Sequence, residues 1–165
     1  MLKSIALHQK LENAAHRHQL LASRFNEFAM FVEDQVTQQA FQIKGIAASL
    51  HLDHGFFSTT FSGRTLNFVF SSTNGENGAL IGNVQCYLKR EFPETRYIEI
   101  GEFTFTENGQ TNLLEPEVDA PITIDAGIPS IYVALHFIEA SLSSTPRSGS
   151  IGLAARSGAR AESRA

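Results

Sequence analysis

The sequence predicts an α+β protein: a long N-terminal helix, a bulged and curved antiparallel sheet of about five to six strands, a short apolar C-terminal helix and a disordered tail. Three observations carry this. A heptad spacing of apolar residues runs through the first forty positions. Period-two segments punctuated by Asn-Gly, Ser-Gly and Pro follow it. A three-four spacing then returns from Ile128.

The first helix is read from Leu7, Leu11, Ala14, Leu21, Phe25, Phe28 and Val32, which alternate spacings of four and three, with His18 in one slot. No Gly or Pro interrupts the chain before Gly45. Such a helix runs on the order of 50 Å, longer than a small sheet covers. Ile5, Phe31 and Val36 widen the apolar face, and its C-terminal half is expected to lie on the sheet. The N-terminal half is expected to find the same helix of a second subunit. Leu7, Leu11, His18, Leu21 and Phe25 are the predicted interface of a homodimer, with His18 as a polar seam residue that sets register.

The strands follow in order. Phe41–Leu50 and Phe56–Phe61 alternate, and Ser62-Gly63 is a tight-turn signal into Arg64–Ser71. The stretch STNGENG is a hairpin loop leading to Ala79–Arg90. Pro93 marks the next turn, Thr95–Thr106 follows, and Asn108-Gly109 returns the chain into Thr111–Glu115. Two strands change phase. Phe41 and Ile43 alternate on odd positions before Gly45, then Ile46, Ala48 and Leu50 on even ones. Ile98 and Ile100 give way to Phe103 and Phe105 across Gly101. Each slip predicts a β-bulge, at which a side chain in place of the glycine is costly if the backbone there is left-handed.

LEPEVDAPITID, with two prolines and four carboxylates, reads as an extended edge or loop. Pro129 suits a first helical turn, and Ile128, Ile131, Leu135, Ile138 and Leu142 continue the helix. Tyr132, Val133 and Phe137 fill other faces, so this helix is expected to be buried or at an interface, with His136 a hydrogen-bonded core histidine. One domain over residues 1–142 is expected. The Ser/Gly/Ala/Arg segment 143–165 has too few hydrophobes to offset its ordering entropy, and is expected to be disordered.

Composition narrows the function classes. Thirteen Phe and no Trp favour a core over a base- or sugar-stacking platform. A single cysteine, Cys86, excludes an intramolecular disulfide and argues against a thiolate metal site. The start lacks a signal-peptide pattern, and no apolar run approaches the ~20 residues of a membrane span, so a cytoplasmic location without membrane contact is expected. Net charge is −4, yet residues 91–142 carry ten acidic side chains against Arg96 alone. That imbalance argues against nucleic acid and suits either a basic protein partner or an acidic surface that serves solubility alone.

Residues with chemistry are few. His51, Asp53 and His54 are the one compact set with metal-ligand chemistry, and a small metal-dependent hydrolase built on them is the alternative reading. Glu115, Glu117, Asp119 and Asp125 could supply an acid/base pair if one were buried, and lack the glycine of a calcium loop. Nothing places a base beside Cys86, and no phosphate loop or nucleophile elbow is present. Arg147, Arg156, Arg160 and Arg164 are too sparse for more than weak phosphate contact. No cofactor is expected. The sequence therefore predicts a non-catalytic, homodimeric protein-binding or regulatory protein with an acidic 91–142 region.

Overall fold

The computed structural model describes residues 2–38, 43–115, 118–125 and 127–143. Helix α1 (Leu2–Thr37) is followed by strands β1 (Ala47–His51), β2 (Phe56–Phe61), β3 (Arg64–Asn74), β4 (Leu80–Arg90), β5 (Arg96–Phe105), β6 (Gln110–Leu114) and β7 (Pro121–Thr123). Helix α2 (Ile128–Ser143) closes the fold. The strands form one antiparallel meander in sequence order. The α+β architecture is the one expected, with seven strands. The added strand is β7, three residues within the proline-rich stretch, held to β6 by the Thr111 hydroxyl donating to the Ile122 carbonyl at 2.6 Å.

Only the C-terminal half of α1 lies on the sheet. Phe28 and Val32 of the seam are buried there together with Ala29, and so are Leu21 and Phe25, which were expected at the subunit interface. They meet Phe57, Phe68 and Phe103 from the sheet and Phe137 from α2. Phe25 and Phe28 pack on Phe57 at 5.8 and 5.7 Å between ring centroids, and Phe57 stacks on Phe68 at 4.7 Å. These rings form one continuous core, consistent with a phenylalanine-rich sequence lacking Trp. Arg64 donates to the Ser141 carbonyl at 2.9 Å, satisfying one of the orphan acceptors at the end of α2.

The turns follow their residues. Ser62 and Gly63 are the two central residues of the β2–β3 hairpin, with φ of 54° and 77°, the positive pair that matches strand twist. The two phase slips have different origins. At Gly45 there is no bulge: the chain turns at Lys44 and Gly45, φ is 87°, and β1 begins only at Ala47. Phe41, from which the odd-numbered phase was read, lies outside the described residues. Near Gly101 the bulge is present. Cys86 pairs with Gly101 and Tyr87 with Glu99, leaving Ile100 extra on β5. Gly101 itself is not left-handed; its place is dictated by Phe137, whose Cε1 would lie 2.7 Å from an added Cβ.

No helix among the described residues is long and apolar enough to cross a membrane. The segment 144–165, expected to be a tail, lies outside the described residues.

Candidate functional site: an exposed arm and an acid-edged groove

Because the sheet is shorter than α1, the helix overhangs it. Residues 3–13 are exposed throughout, with Ile5 at 60%, Leu7 at 57% and Leu11 at 60% relative accessibility. The last anchors before the overhang are Arg17, paired with Glu107, and His18. His18 shares a hydrogen bond with Ser72 and packs on Phe70 at 5.4 Å. Of the predicted interface residues, Leu21 and Phe25 are fully enclosed in the protein's own core, and His18 is engaged within the chain. The sheet reaches one turn further along α1 than the sequence suggests, because Phe70 on β3 extends under His18. Leu7 and Leu11 remain as apolar surface on the seam, and Ile5 is exposed on the opposite side of the helix.

A groove of ≈ 410 Å³ lies between α2 and the β6–β7 end of the sheet. Its wall is mostly aliphatic, with Leu114, Ile122, Pro129 and Leu135 prominent, and Glu115 and Glu139 both line it. The size falls in the roughly 300–1,000 Å³ range of ligand-sized clefts. The outer face of α2 opens onto it, so this helix is not buried all round: Tyr132, His136 and Glu139 are exposed while Ile131, Val133, Ala134, Phe137 and Ile138 face the core. His136 is thus a groove residue, and its expected place in the core is corrected. Partial desolvation lowers its pKa, opposed by the Glu139 carboxylate one turn on. The signal for this stripe was present as Tyr132, His136 and Glu139 at spacings of four and three. It was obscured because apolar residues occupy every other face of α2.

The candidate chemical residues do not converge. His51 stacks on Phe56 at 4.7 Å and lies 3.2 Å from the Ser49 hydroxyl, while His54 faces Asp53 at 3.6 Å on an exposed 3-10 turn. Among the described residues, no three His, Cys, Asp or Glu side chains are grouped to hold a metal ion. Glu115, Asp119 and Asp125 are exposed, and Asp125 accepts from the Thr123 hydroxyl at 3.2 Å; Glu117 lies outside the described residues. Burial, reinforced by Glu99, pushes the Cys86 thiol well above its ordinary value, which disfavours the thiolate. A wider, polar cleft beside Arg64, Lys89 and Arg90 has its Arg64 committed to α2.

No protein-family model, curated protein or solved structure matches this chain.

Proposed function

We propose that this is a non-catalytic interaction protein that associates as a homodimer through the overhanging N-terminal arm of α1. The exposure of Leu7 and Leu11, neighbours one turn apart on the same face of one continuous helix, carries the reading; Ile5 is exposed on the opposite face. Burying a leucine completely is worth about 1.5–3 kcal/mol, so covering these more-than-half-exposed side chains would contribute roughly 1–2 kcal/mol each. Left open, a solvent-facing apolar stripe on a projecting helix invites association of some kind. The acidic 91–142 region supports binding of a basic surface.

Light scattering at micromolar concentration tests this. The parent is expected to give the mass of a dimer and Leu7→Glu/Leu11→Glu that of a monomer with unchanged circular dichroism. Both leucines lie outside the core, so loss of dimer cannot be attributed to unfolding. A parent that stays monomeric across the concentration range would overturn the reading.

A further inference from the structure

We infer that the arm of each copy docks not against the other arm but into the groove between α2 and the β6–β7 end of the other copy, a reciprocal exchange. This rests on the homodimer proposed above and names its acceptor.

The flanks of the arm decide between the two arrangements. With Leu7 and Leu11 on the heptad seam, the adjoining edge positions along the exposed stretch are Lys3, His8, Lys10 and Ala15. An antiparallel coil of two arms sets the Lys3 and Lys10 edges against each other, and a parallel one sets Lys3 against His8 and Lys10 against Ala15, with no carboxylate at those edges to answer the lysines. Glu12 lies on the outer side of the helix, away from the seam, and within reach of His8 of the same helix at 3.6 Å. Self-pairing therefore opposes like charges in one direction and leaves the lysines unanswered in the other.

The groove offers the complement. Its wall is apolar and elongated along α2, and Glu115 and Glu139 line it. A helix entering with Leu7 and Leu11 as anchors one turn apart matches the way amphipathic helices occupy hydrophobic grooves. Lys3 and Lys10, seven residues and so about 10 Å apart, flank those anchors on one edge and would meet carboxylates there. Arm and groove belong to the same chain, and the arm begins beyond Arg17, so its reach is the about 21 Å of helix from Lys3 to His16. Reciprocal insertion uses one arm and one groove from each copy and leaves neither open, which closes the assembly at two rather than extending it into a chain.

Charge reversal tests the pairing without touching the core. Glu115→Lys/Glu139→Lys alters only exposed groove residues, and Lys3→Glu/Lys10→Glu only exposed arm residues. Each is expected to weaken its own homodimer by about tenfold or more, measured by sedimentation velocity at low salt. An equimolar mixture of the two is expected to recover parental affinity, because every arm then meets a groove of opposite sign; native mass spectrometry with one variant isotope-labelled identifies the mixed dimer. If Leu7→Glu/Leu11→Glu abolishes the dimer but Glu115→Lys/Glu139→Lys leaves it intact, the groove is not the acceptor: the exchange is overturned while arm-mediated dimerisation stands. A monomeric parent overturns both.

Discussion

Replacing Gly101 by Ala tests whether close approach of the Phe137 ring is what demands a glycine there. The added Cβ would fall 2.7 Å from Cε1 of Phe137, and 3.5 and 3.7 Å from its Cδ1 and Cζ. Ordinary carbon contacts begin near 3.5 Å, so the ring must retreat by about 1 Å. It has little room. Phe68 stands edge-on at 6.1 Å between centroids and Phe103 lies alongside at 6.0 Å, all three within the closed core. Overpacking of this kind costs about 1–3 kcal/mol. Shortening the ring with Phe137→Leu costs about 1–2 kcal/mol by itself through lost apolar volume. In the double variant the Cβ occupies space the ring has vacated, and the two costs should fall short of additive by about 0.5–3 kcal/mol. Urea unfolding with a common m-value measures all four corners. Strict additivity, or a loss below about 0.5 kcal/mol for Gly101→Ala, would refute the close-approach argument.

Two further changes test local energetics. Thr59, buried on β2, has a hydroxyl with no hydrogen-bond partner among the described residues, so Thr59→Val should stabilise by about 1 kcal/mol in thermal or urea unfolding; destabilisation would reveal a partner. The Glu99 carboxyl is raised by desolvation and by Glu102, with a Gln85 hydrogen bond opposing. A raised folded pKa gives stability that is present below the ordinary carboxylate range and lost as pH climbs through the folded value. Glu99→Gln should therefore raise the melting temperature at pH 7, by about 0.2–1 kcal/mol of stability on this solvated strand face, and do nothing near pH 3; an equal gain at both pH values would show that charge is not the cause.

Local sequence determined the elements because their signals are local. The heptad spacing of α1, the Ser62-Gly63 and Asn108-Gly109 turns, and the alternation of β2 to β6 each express a backbone periodicity or a φ preference within a few residues. The slip from Ile98 and Ile100 to Phe103 and Phe105 located a bulge for the same reason. The look-alike slip at Gly45 misled because a turn also changes phase, and periodicity alone does not show whether a strand continues through. What tertiary structure decided are the distances between elements. Only packing shows that Phe70 reaches back beneath His18, so that Leu21 and Phe25 are enclosed while Leu7 and Leu11 overhang. Only packing turns the Tyr132, His136 and Glu139 stripe outward beside Leu114 and Glu115. A helix apolar on most faces has no direction of its own. The sheet it lies on chooses which side is core, and so which side becomes a groove.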